Sequence, residues 1–182
     1  MPIASTDILV FLSTTSGAAG NSIAQGNPNL SLGKYISTTQ WTGGSLHDLF
    51  DVITGDENAA STVDYRCVFL RNAHVSLAAL APFAAWLASE VGGGASLAIG
   101  VDPAGASPIG QAGAQAAIIA NENTAPAGVT FTAPTTKSTG ISLPAPMAAG
   151  NCVAVWIRRT AANSAPIDAD GATLQCDCDT AQ

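Results

Sequence analysis

Apolar and polar residues along the chain alternate mostly with the two-residue period of β-strands, and a helical period occurs once. The strand series opens with Ile8-Leu-Val-Phe-Leu12 and continues with a short candidate from Tyr35 to Trp41. In Asp64-Tyr-Arg-Cys-Val-Phe-Leu-Arg-Asn72, Tyr65, Cys67 and Phe69 share one face while Val68 and Leu70 share the other. A strand apolar on both faces is expected to be covered on both. The stretch from Phe83 to Ser89 carries Trp86 and runs into the turn glycines Gly92, Gly93 and Gly94. Leu97, Ile99 and Val101 then alternate with small residues, the pattern of a half-buried strand over 96–101.

Further strand candidates are 115–121, 128–133, 152–160 with Val153, Val155 and Ile157 on one face, and 172–177. Asp102-Pro-Ala-Gly105 has the composition of a turn, with 103–116 as an exposed excursion. The one helical pattern is Ser45-Leu-His-Asp-Leu-Phe-Asp-Val-Ile53, where Leu46, Leu49, Phe50 and Ile53 fall at i, i+3, i+4 and i+7 behind Ser45 as N-cap, ending at Thr54 and Gly55. Roughly eight short strands without βαβ alternation predict an all-β fold, an antiparallel two-sheet sandwich that is jelly-roll-like, with one short helix. The tract from Ser13 to Ser31 is rich in Ser, Thr, Gly, Ala and Asn and cannot bury enough apolar surface by itself. Residues 1–34 are therefore expected to form an extended N-terminal arm, or a long loop ordered against something else, and 35–182 the sandwich.

Composition narrows the function. A chain of 182 residues fits one domain. With 13 acidic against 6 basic residues, a net charge of −7, and no basic cluster beyond Arg158-Arg159, nucleic acid is not an expected partner. Charged residues are only 10% of the chain, which fits a surface covered by a partner or the Ser/Thr/Asn surface of a secreted protein. The start Met1-Pro2-Ile3-Ala4 lacks a secretory pattern, and no apolar run reaches membrane-spanning length, so no membrane is expected as a partner. Leu77 to Leu87, the most apolar stretch, is short and carries Pro82; it reads as a buried strand with its lead-in.

No residue pattern selects a catalytic, cofactor-binding or metal-binding site, and the chain is expected not to be an enzyme. Cys67, Cys152, Cys176 and Cys178 are expected to remain thiols, the last two on one strand face; a zinc reading of Cys-x-Cys lacks supporting ligands. Neither His47 nor His74 stands in a nucleophile context, and His47, between acidic neighbours, reads as part of a hydrated helix face. Asp168-Ala-Asp170-Gly171 has two carboxylates and a glycine, as in a calcium loop, but lacks the remaining ligands and reads as an Asp-Gly turn. Arg66, Arg71, Arg158 and Arg159 sit on or beside strands, available for interface ion pairs, for pairing with Asp64 and Glu90, or for capping strand ends in water. Trp86 and Trp156 read as core aromatics, and Trp41 is the aromatic least accounted for.

Leu49-Phe-Asp-Val-Ile-Thr-Gly-Asp-Glu57, the segments 64–72 and 119–131, and Val155-Trp-Ile-Arg-Arg159 resemble segments of small β-rich virion proteins of tailed bacteriophages. The resemblance extends over most of 35–177 and is strongest to jelly-roll cement, or decoration, proteins of the capsid. It implies a structural protein on the outer surface of the phage head, made in the host bacterial cytoplasm, whose partner is the major capsid protein and which self-associates or self-contacts on the shell. A tail, baseplate or fibre-associated sandwich that binds a glycan or another tail protein is the alternative.

Overall fold

The computed structural model describes residues 5–20, 23–75, 80–145 and 147–180. The lead-in at 77–79 and the N-terminal residues 1–4 lie outside them. Among the described residues there are nine strands, β1 (Ile8–Thr14), β2 (Tyr35–Gln40), β3 (Val63–Asn72), β4 (Leu80–Glu90), β5 (Ser96–Val101), β6 (Ser107–Pro108), β7 (Ile141–Ser142), β8 (Asn151–Thr160) and β9 (Ala172–Thr180), and one α-helix, α1 (Gly55–Ala60). A six-stranded sheet has the order β2-β1-β3-β8-β5, with β6 also beside β8; a three-stranded sheet has the order β7-β4-β9. All ladders are antiparallel. The fold is thus an all-β two-sheet sandwich. Its sheets are unequal, with six strands in one and three in the other.

The doubly apolar pattern of β3 is explained by its place at the centre of the larger sheet. Val68 and Leu70 face the smaller sheet, packing with Val153, Val155, Phe83, Ala85 and Leu87 in the main core. Cys67 and Phe69 point the other way, into a second core with Trp156, Ile36, Ala116 and Ile119. That second face is covered by irregular chain rather than by a third sheet. Lys34 N–H donates to Ala117 O, Ala116 N–H to Lys34 O and Ile119 N–H to Leu32 O, so 32–34 and 116–119 run side by side across it. Gly33 makes this layer possible: it lies at φ +91°, and a Cβ there would sit 2.0 Å from Ala117 O.

Four expectations change. First, 1–34 is not a separable arm over its described residues. β1 lies between β2 and β3, and Ser31 Oγ is tied to Cys67 O at 2.6 Å, because the polar tract gains its hydrogen bonds from the sheet it crosses. Second, 45–53 is not helical. His47 has φ 60°, Leu49 and Phe50 plug the end of the sandwich, and nine residues with a helical period are too few to nucleate without packing to hold them. The helix starts instead at Thr54, whose side chain accepts from Glu57 N–H while Glu57 caps Thr54 N–H, a complete capping box.

Third, 115–121 and 128–133 form no ladder and only isolated bridges, Gly33 with Ile118 and Ile99 with Thr132. Pro126, Gly128 and Pro134 interrupt or bound this region and prevent a ladder. Fourth, β5 is not half-exposed. Its small-residue face lies under 129–132, and a Cβ on Gly100 would meet Thr130 O at 2.5 Å.

Candidate binding surfaces

One end of the main core is closed by charge. Asp64 on β3 stands opposite Arg159 on β8, and Arg159 Nη2 and Nε reach Asp64 Oδ2 at 2.7 and 3.0 Å. Arg159 also bonds Asp51, at Oδ1 over 3.2 Å and through the backbone carbonyl. Arg66, fully buried, pairs with Glu122 and donates to Asn29 Oδ1 at 3.0 Å. The Phe50 ring packs against both guanidinium groups, 4.8 Å from Arg159 and 5.3 Å from Arg66. Asn123 completes the clasp by donating to Asp64 Oδ1 at 2.8 Å. The arginines therefore fasten loops 42–54 and 121–124 to the two central strands.

Of the partners considered for the arginines, Asp64 is used and Glu90 is not; Glu90 accepts from Leu97 N–H. Arg158 lies over Phe131 at 5.4 Å, and the Nε atoms of Arg71 and Arg158 are buried without a partner. No local pattern marks Asp51 or Glu122 as an arginine partner: each sits in a loop and meets its arginine only in the fold.

Beside the clasp lies a cleft of about 980 Å³, between loop 42–54, the Gly94–Ala95 turn and the 164–174 connection. Val10, Trp41, Leu87, Leu97, Ile157 and Leu174 contribute apolar wall. Asp48, Glu90, Asp168 and Asp170 stand around it, and Leu46 and Val52 in its loop are 70% and 57% exposed. Trp41 is half-buried here, with its indole N–H buried and unpartnered. Asp170 Oδ2 accepts from Ala95 N–H at 2.6 Å, so the Asp-Gly turn holds the neighbouring glycine turn. His47 is exposed on the cleft loop, and His74 is buried after β3 with its backbone N–H donating to Asn72 Oδ1. The two histidines belong to different parts of the fold.

Trp156 is a core residue, but Trp86 is half-buried on the outer face of β4, opposite the inward row Phe83, Ala85 and Leu87. Cys67, Cys152, Cys176 and Cys178 all remain thiols. Burial pushes Cys152 up to about 12 and Cys176 up to about 11, and raises Cys67 well above its ordinary value, so none of these three is an activated nucleophile. Among the described residues, no group of three or more His, Cys, Asp or Glu side chains is placed to hold a metal ion, and no helix is long and apolar enough to cross a membrane. Comparisons with protein-family models, with curated proteins and with solved structures each find no match.

Proposed function

We propose that this protein is a structural component of a tailed-phage particle, a decoration protein that binds the outer surface of the head and bridges major capsid subunits. The observation that carries the reading is the wording of 64–72 and 155–159, which resembles such proteins and falls on the paired central strands β3 and β8. The low charge and the exposed apolar Leu46 and Val52 on one end loop support it. A protein of this kind acts by burying surface on the assembled shell and not on dispersed subunits, so its binding free energy adds to particle stability. The contact is assigned to the loop end of the sandwich, since the described residues of 1–34 are committed to their own sheet.

The cleft favours a second reading, a tail or fibre sandwich that binds a glycan. A half-buried Trp41 with Asp48, Glu90, Asp168 and Asp170 nearby offers an aromatic wall and carboxylate acceptors to a sugar. Cryo-electron microscopy of purified particles separates the two. Density repeated over the icosahedral shell supports decoration; density confined to the tail supports the second reading; absence from the particle overturns both.

A further inference from the structure

The sandwich covers its long sheet edges with its own chain, with one exception among the described residues. β2 is flanked by 23–25, where Thr38 N–H donates to Ile23 O at 3.0 Å and Gln25 N–H to Thr39 Oγ1 at 2.9 Å. β5 is bridged by Thr132, which exchanges both backbone bonds with Ile99. β9, nine residues long, is hydrogen-bonded along one side only, to β4. Such an edge is a template for another strand.

The direction of its backbone groups follows from β4. Phe83 O accepts from Leu143 N–H and Leu87 N–H donates to Pro134 O, both on the side of β4 away from β9. Phe83 faces Cys178 and Leu87 faces Leu174 across the β4–β9 ladder. In an antiparallel ladder, residues opposite such positions turn their own N–H and C=O groups away from the shared strand. Leu174 and Cys178, and by alternation Ala172 and Cys176, therefore present backbone donors and acceptors to the open edge. Both irregularities of the ladder add their extra residue to β4, which leaves β9 regular. Cys178 N–H is already taken by Asp177 Oδ1 at 2.7 Å, leaving 172, 174 and 176 as the available row.

We infer that β9 pairs antiparallel with β9 of a second copy of this chain, about a two-fold axis at Leu174, joining two three-stranded sheets into one. This register opposes Leu174 to its own copy and Ala172 to Cys176. It also sets Thr173 beside Gln175 of the second copy, an uncharged pair on the outer face. The charge along the edge suits self-pairing. The row that pairs, 172–176, carries no charge; the two carboxylates of β9, Asp177 and Asp179, stand beyond it, and Asp177 is paired with Lys137 at 2.9 Å. The combined sheet then matches the larger sheet's six strands. The inference does not depend on where in a particle, or whether in one, the protein resides.

Sedimentation velocity of the full chain over a concentration series tests it. The unaltered protein is expected to dimerise, and T173K/Q175K, which sets lysines against lysines at exposed positions, to weaken the dimer by about tenfold. An equimolar mixture of T173K/Q175K with T173E/Q175E is expected to restore association as a heterodimer, with thermal melts confirming that both variants fold. A protein that stays monomeric up to ~1 mM, well above any affinity useful for specific pairing, overturns the inference. So does a dimer indifferent to both variants.

Discussion

The carboxylate of Asp102 holds the indole of Trp156 at 2.9 Å, and both residues are buried, at 2% and 0% exposure. The same oxygen accepts from Ala117 N–H at 2.9 Å, and the other accepts from Ala104 N–H at 2.9 Å. One side chain thus ties the turn after β5 to β8 and to the irregular layer over the second core. D102A leaves a buried indole N–H and a backbone amide unsatisfied and is expected to lower the unfolding free energy by about 3 kcal/mol in denaturant titration. D102N is expected to lie between, because its amide can offer only one oxygen. An unchanged midpoint for D102A would show that water replaces the carboxylate.

R159M removes the guanidinium from Asp64, which is only 3% exposed. The stranded carboxylate is expected to cost about 3–5 kcal/mol, whereas the double change D64L/R159M, which removes both charges, recovers a large part of the loss. A double-mutant cycle by chemical unfolding measures the difference. Equal losses in the single and double variants would show that Arg159 acts through Asp51 and Phe50 instead.

The capping box sets an acid-side stability term. Thr54 N–H and Oγ1 donate to Glu57, and this holds Glu57 below its ordinary 4.5. The folded state therefore binds the proton less readily than the unfolded chain, so this contribution is present above about pH 4.5 and fades as the pH falls through the lower folded value. Asp177, lowered from 3.8 chiefly by its bond to Lys137, acts in the same direction. T54A is expected to cost about 1 kcal/mol at neutral pH, and its deficit to shrink in unfolding curves recorded at progressively lower pH. A deficit independent of pH would remove the Glu57 carboxylate from the account.

The thiols make the opposite prediction at alkaline pH. Burial raises Cys152 from 9.0 to about 12 and Cys176 from 9.0 to about 11, so the unfolded chain loses these protons first. Their contribution is complete below about pH 9 and declines as the pH rises toward the folded values. A disulfide-exchange reagent at pH 8 is expected to modify none of the four cysteines quickly in the native protein and all four after denaturation. Rapid native labelling at Cys176, the half-buried member, would mean that β9 opens locally.

The sequence by itself determined the strands whose side chains record their surroundings. Residues 96–101 coincide with β5, and the two-faced apolar pattern of 64–72 announced a central strand, because period-two burial is written locally. Thr54-Gly-Asp-Glu57 also carried its signal, as a capping box, although the apolar spacing of 45–53 pointed to the wrong segment for the helix. Tertiary structure decided what has no local period. The carboxylates of Asp51, Glu122 and Asp102 find their partners across the fold, and the segment 31–34 is held by bonds to β3 and to 116–119 that no window of sequence contains. The small residues of β5 read as exposed because a missing side chain looks the same whether water or another backbone fills its place. Only the packed structure shows that the backbone of 129–132 does.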